Sequence, residues 1–358
     1  MSSRGHRHVV SQAAGKAVAL MSGVLLASGL PAAQEPGNAS IQPSVPAIAY
    51  AAADPADSKG HLLDLYLPGH GGEPVPLVIY TAGSAWLADT GKEGARDFAA
   101  ELVAAGFAVA GVSIRSSSQV QFPGQLHDIK AAIRWLRLNA GKYNVDPDRF
   151  AIIGDSSGGW TAAMAAVTGD VSELEGEVGS SGVSSAVQAA VAFYPPTDFS
   201  AMDAWAVGRC DPEARLGEPG SAGLFCHASE GSPEARLVGC DSILACEEAV
   251  QRANPLNYIS GDDPPMLILH GNSDPLVPHN QGERLYQALN KACIRSEFIS
   301  LPVAGHGPPV AFLTDPALQQ GATKRSTSGA DCRYTNPELY SPSWSTITNF
   351  LQEALARN

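Results

Sequence analysis

The 358-residue chain is predicted to be an α/β protein with a mostly parallel central sheet covered by helices on both faces. Two observations carry that expectation. Strand-like apolar runs and helical patterns alternate along most of the chain, the signature of such a sheet. Within this alternation, R-F-A-I-I-G-D-S-S-G-G at 149–159 passes from a buried strand through a tight turn into a helix of small and apolar residues, W-T-A-A-M-A-A-V-T.

Taken in order, residues 1–33 read as a secretory leader. Arg4, Arg7 and Lys16 precede or open A-V-A-L-M-S-G-V-L-L-A-S-G-L, an apolar stretch too short to span a bilayer comfortably, with cleavage expected after Ala33 or Ala39. Residues 34–58, rich in Ala, Pro and Ser, are expected to form a flexible approach to a single domain over 59–358. H-L-L-D-L-Y-L alternates like a half-exposed edge strand, and V-P-L-V-I-Y-T reads as a central one. A helix closed by Gly106 and the strand F-A-V-A-G-V-S-I follow. L-H-D-I-K-A-A-I-R-W-L-R-L-N-A is amphipathic, its apolar positions recurring every three or four residues. After the 149–159 run comes the strand V-Q-A-A-V-A-F-Y-P. Residues 200–254 break the alternation, being long and rich in Gly, Pro and Cys. They are expected to form a cap that sets the substrate's size and shape. W-S-T-I-T-N-F-L-Q-E-A-L is the closing helix.

The formal charge is −13, and loss of the first 33 residues, with three basic side chains and no acid, brings it to −16. So acidic a chain repels phosphate backbones and anionic membranes, which argues against nucleic-acid binding. No segment after the leader is apolar enough to cross a membrane. Six cysteines in an exported chain predict three disulfides. Cys293–Cys332 is the pair expected to pin the segment after residue 306 onto the sheet, and the spacing fits no zinc site. An extracellular or periplasmic location follows from these expectations.

Gly154-Asp155-Ser156-Ser157-Gly158 is a G-x-S-x-G in the strand–turn–helix context that exposes a nucleophilic hydroxyl. A serine needs a base and the base an orienting carboxylate, expected in the chain order Ser, acid, His. Asp274 lies in a turn directly after the strand pattern Met266 to Leu269, and His306 stands between two glycines just past Ser296 to Leu301. Asp198, after the preceding strand, is the alternative acid; His270 is a competing histidine on the wrong side of Asp274. For an oxyanion, one donor is assigned to the N–H of Ser157, and the second to Gly83 or Ser84 in the turn A-G-S-A-W. Trp86 and Trp160, with Trp205, are candidate aromatic walls of a pocket. They favour an aromatic acyl or alcohol group.

Together with F-P-G-Q-L-H-D-I-K-A-A-I-R-W-L-R-L-N-A and A-N-P-L-N-Y-I-S-G-D-D-P-P-M-L-I-L-H-G-N-S-D-P-L-V-P, these blocks resemble the α/β-hydrolase superfamily, in its feruloyl-esterase-like carboxylesterase branch, related to the hormone-sensitive-lipase group. The resemblance covers about residues 60–310. It implies a Ser–Asp–His hydrolase of small-molecule or polymer-linked carboxylic esters, with no metal or organic cofactor. Two departures stand out: the family's His-Gly-Gly-x-Trp is here Ala82-Gly83-Ser84-Ala85-Trp86, and Trp160 replaces a frequent histidine after the elbow. The missing histidine normally braces the oxyanion loop. A serine peptidase of the same fold and an inactive binding module are the alternatives. Oligomeric state is left open.

Overall fold

Ten strands form one sheet: β1 Val45–Ala49, β2 Leu62–Tyr66, β3 Val75–Thr81, β4 Ala108–Val112, β5 Val145–Asp155, β6 Ala189–Phe193, β7 Met266–Gly271, β8 Ser296–Leu301, β9 Thr323–Thr327 and β10 Glu338–Leu339. The computed structural model describes residues 41–69, 71–169, 171–214 and 225–357. The expected leader at 1–33 lies outside the described residues. Spatial order is β1-β2-β4-β3-β5-β6-β7-β8-β9-β10. The pairs from β4 through β8 are parallel, while β1, β2, β9 and β10 extend the sheet antiparallel at its two edges. This is an α/β-hydrolase fold.

The helices, among the described residues, are α1 Arg96–Ala104, α2 Gly124–Leu138, α3 Ser157–Val167, α4 Met202–Trp205, α5 Pro233–Val238, α6 Glu247–Arg252, α7 Asn280–Lys291, α8 Pro309–Thr314 and α9 Trp344–Ala354. Successive strand residues face opposite sides, so β5 sends Phe150 and Ile152 into one core, with α2, α3 and α7, and Ala151 and Ile153 into the other, with α1, α8 and α9. Both faces being covered explains why the central strands read as unbroken apolar runs rather than alternating ones.

Two expectations are corrected at the first edge. Part of the segment expected to be flexible is β1, which pairs antiparallel with β2, so β2 is not an edge strand. The reason lies in a buried acid. Asp64 accepts the Ala47 N–H at 2.7 Å through one oxygen and holds Lys92 Nζ at 2.6 Å through the other. Helix α2 also departs from simple amphipathicity, because its charged residues Asp128, Lys130 and Arg134 are buried as well. Asp128 takes Arg115 and His61, while Lys130 and Arg134 converge on Glu175. Buried charges persist where they are paired and hydrogen-bonded in this way.

All six cysteines are bridged, as Cys210–Cys226, Cys240–Cys246 and Cys293–Cys332. The last joins the loop before β8 to the segment after β9. No helix among the described residues is long and apolar enough to cross a membrane.

Candidate active site

Ser156 sits between β5 and α3 with φ 54° and ψ −125°, a backbone conformation sparsely populated by non-glycine residues. The elbow closes only because its neighbours lack side chains. A Cβ on Gly154 would lie 2.1 Å from the Gly158 carbonyl oxygen, and one on Gly158 would lie 2.2 Å from that of Thr81. The Ser156 N–H donates to Phe193 O at 3.0 Å, tying the turn to β6.

The structure brings Ser156, His306 and Asp274 together. His306 Nε2 lies 3.1 Å from Ser156 Oγ, and His306 Nδ1 lies 2.8 Å from Asp274 Oδ2. Because an ionised carboxylate only accepts, the ring proton resides on Nδ1, leaving Nε2 free to accept from the serine. Asp274 is fully buried, and its other oxygen, Oδ1, accepts the N–H groups of Leu276 and Val277, both at 2.9 Å. It is at once a turn-forming Asp and the partner of a histidine, one oxygen for each. Asp198 faces elsewhere, its carboxylate 3.2 Å from Arg284 on α7. The His306 loop has a support that sequence reading missed. Tyr194 packs its ring 4.6 Å from the imidazole and donates its hydroxyl to Gly307 O at 2.8 Å. A tyrosine ending an apolar strand gives no sequence signal of that role.

His270 lies behind Asp274, its Nε2 bonded to Val277 O at 2.9 Å and 3.7 Å from the carboxylate. Burial pushes its imidazole down to about 4, against the pull of Asp274. Unfolding returns it to about 6.5. Between those values the unfolded chain binds a proton that the folded one refuses, so stability declines as pH falls from 6.5 towards 4. Urea unfolding at pH 7 and 4.5 is expected to give a loss about 2 kcal/mol smaller in His270→Gln than in the wild type. Equal losses would remove this histidine from the acid sensitivity.

The oxyanion turn corrects one expectation. The Gly83 N–H donates to Asp155 Oδ1 at 3.3 Å and the Ser84 N–H to Ser157 Oγ at 2.9 Å, so both are already engaged. These bonds brace the loop where the family uses its histidine. Trp86 N–H adds a third at 3.3 Å to Ser157 Oγ, and Tyr80 donates its hydroxyl to the same Asp155 oxygen at 2.7 Å. Burial raises the Asp155 carboxyl above its ordinary value, while the Tyr80 hydroxyl opposes the rise. Between the engaged groups, the N–H of Ala85 has no acceptor among the described residues. Ala85 and Trp86 are both left-handed, at φ 52° and 57°, which re-aims the backbone at this point. Ser157 opens α3, where an N–H has no partner within the helix.

Ser156, His306, Ala85 and Trp86 line a cavity of about 40 Å³. Phe225, His227, Pro233 and Glu234 of the 200–254 segment line it as well. Trp160 does not belong to it. It is fully buried, edge-on to Trp86 at 5.5 Å, and its Nε1–H donates to Ala253 O at 2.8 Å. Trp205 stacks on Arg284 instead. Of the three candidate aromatic walls, Trp86 is the one that lines this cavity.

A parallel sheet with a serine elbow, a histidine loop and an acid turn at its strand ends defines an α/β-hydrolase. The chain belongs to the BD-FAE family of feruloyl-esterase-like α/β-hydrolases, whose family model matches residues 63–289. It is 29% identical over 259 residues to the esterase LipC of Mycobacterium tuberculosis (strain ATCC 25618 / H37Rv), covering 70% of this chain and 58% of that one. The esterase LipQ of the same organism is 26% identical over 242 residues, with 66% and 51% covered. The chain thus spans about half the length of the curated relatives it matches. Among solved structures, a truncated carbohydrate esterase from gut microbiota superimposes with TM-score 0.66 at 30% identity, covering 87% of this chain and 96% of that one. A bifunctional GH43-CE protein of Bacteroides eggerthii gives 0.65 at 32%, with 77% and 36% covered.

Proposed function

We propose that this protein is a secreted serine carboxylic-ester hydrolase for short acyl groups, working through an acyl-enzyme intermediate. The observation that carries the reading is the unbroken chain Asp274–His306–Ser156, with contacts of 2.8 and 3.1 Å. Ser156 attacks the ester carbonyl as His306 Nε2 takes its proton, and Asp274 holds the imidazole in the tautomer that can do so. The N–H groups of Ser157 and Ala85 receive the oxyanion. His306 returns the proton to the departing alcohol, and water then repeats the sequence on the acyl-serine. The esterase names of the relatives support ester chemistry, and three disulfides support an oxidising compartment.

A fluorophosphonate probe is expected to label Ser156 stoichiometrically. The small cavity is expected to make p-nitrophenyl acetate a better substrate than the octanoate by about tenfold in kcat/KM, since an acyl chain that overfills it must push its walls aside, at a cost of about 1–3 kcal/mol. Absence of labelling would leave an inert module; faster turnover of peptide amides than of esters would make the protein a peptidase.

A further inference from the structure

A second histidine–carboxylate pair stands in the wall of the catalytic cavity. His227 Nδ1 lies 2.9 Å from Glu234 Oε1, and both side chains are buried, at 4% and 3% exposure. The pair is fixed from behind. Asp203 accepts the N–H groups of His227 and Ala228 at 2.6 and 2.8 Å. Nothing in the ester chemistry above uses this arrangement. Yet Glu234 Oε2 and Trp86 Nε1 are buried without hydrogen-bond partners among the described residues, and both residues line the cavity together with Ser156 and His306.

We infer that Glu234, held by His227 and standing with Trp86 in the cavity wall, binds a hydroxyl group of the substrate beside the scissile ester. The inference rests on the ester-hydrolase reading of the same site. A buried acceptor and a buried donor left unpaired are costly, so the site is built for a group that answers both. A hydroxyl donates one hydrogen bond and accepts another. An ammonium cannot accept from the indole, and a carbonyl cannot donate to the carboxylate. The remaining wall, from Pro196, Phe225, Leu276 and Val277, is apolar and makes no such selection. A cavity of about 40 Å³ keeps that hydroxyl within a few bonds of the reacting carbonyl. Beyond Phe225 and Pro233, which the two share, lies a second cavity of about 90 Å³ carrying Ser229, Glu230, Ser232 and Arg236. Its polar wall suits a hydroxylated remainder of the substrate.

The test compares kcat/KM within two matched pairs, glycerol 1-acetate against propyl acetate and ethyl glycolate against ethyl propionate. The first pair places the hydroxyl on the alcohol, the second on the acyl group. In one pair the wild type is expected to prefer the hydroxylated member by about tenfold or more, because a buried polar group left unpaired penalises the analogue. Glu234→Gln keeps the shape, but its amide nitrogen presents a donor where the hydroxyl needs an acceptor. That variant and Glu234→Met should each reduce the preference to below about threefold. If Glu234→Met fails to fold, Glu234→Gln alone decides. Lack of preference in both pairs, or a preference that survives substitution, overturns the inference and leaves the two orphan atoms to bound water. Wild-type protein inert towards all four esters and p-nitrophenyl acetate would instead remove the ester-hydrolase reading, and this inference with it.

Discussion

Replacing Ser156 with alanine is expected to lower kcat on p-nitrophenyl acetate by about 10⁵-fold or more, with the melting temperature nearly unchanged. The size follows from the proposed triad acting as a unit, so that removing its nucleophile forfeits the contribution of all three groups and leaves only binding and oxyanion stabilisation. The small stability effect follows from what the hydroxyl touches. Its hydrogen-bond partner is His306 Nε2 at 3.1 Å, and alanine inherits the strained φ of 54° unchanged. Steady-state rates on purified variant, corrected for wild-type contamination, and a thermal melt check both halves. Retention of more than about 1% activity would mean that the attacking atom lies elsewhere.

Much of this site was legible because it is written in local constraints. The elbow needs glycines at 154 and 158, where a Cβ would collide with backbone, and that requirement survives in the sequence as a spaced motif. The histidine and its acid were found by their positions after strands, since an open parallel sheet gathers its reactive groups at one end. Less legible was anything settled by contacts between distant segments. The strand Val45–Ala49 was hidden by Ala and Pro in a stretch that looks like linker, and it is held partly by a carboxylate seventeen residues away. Turn composition pointed to Gly83 or Ser84 and could not tell which N–H of the turn stays free. That depends on Asp155 and Ser157 having already taken the first two N–H groups. Trp160 was misread for a related reason: position beside the nucleophile suggested a pocket wall, but the backbone of Ala253 captures its one polar atom. In each case the deciding partner lies far away along the chain, where neither spacing nor periodicity carries information.

The choice between Asp274 and Asp198 has a sharp kinetic consequence. Asp274→Asn is expected to reduce kcat by about 10⁴-fold, whereas Asp198→Asn should change it less than about twofold. The asymmetry arises from hydrogen-bond direction. The Leu276 and Val277 N–H groups, each 2.9 Å from Oδ1, require an acceptor there. An asparagine must therefore present its oxygen to them and its NH₂ to His306. Facing a donor, Nδ1 can bond only as an acceptor, so the ring proton moves to Nε2, the atom that has to receive the serine proton. A neutral isostere thus retains the packing of a fully buried side chain while reversing the tautomer. Asp198 loses only its contact with Arg284, a partly exposed pair worth at most about 1 kcal/mol. If Asp198→Asn proved the damaging change and Asp274→Asn the harmless one, the carboxylate that orients the histidine during turnover would be the one on the neighbouring strand. The 2.8 Å contact would then be no more than a turn closing on a passing ring.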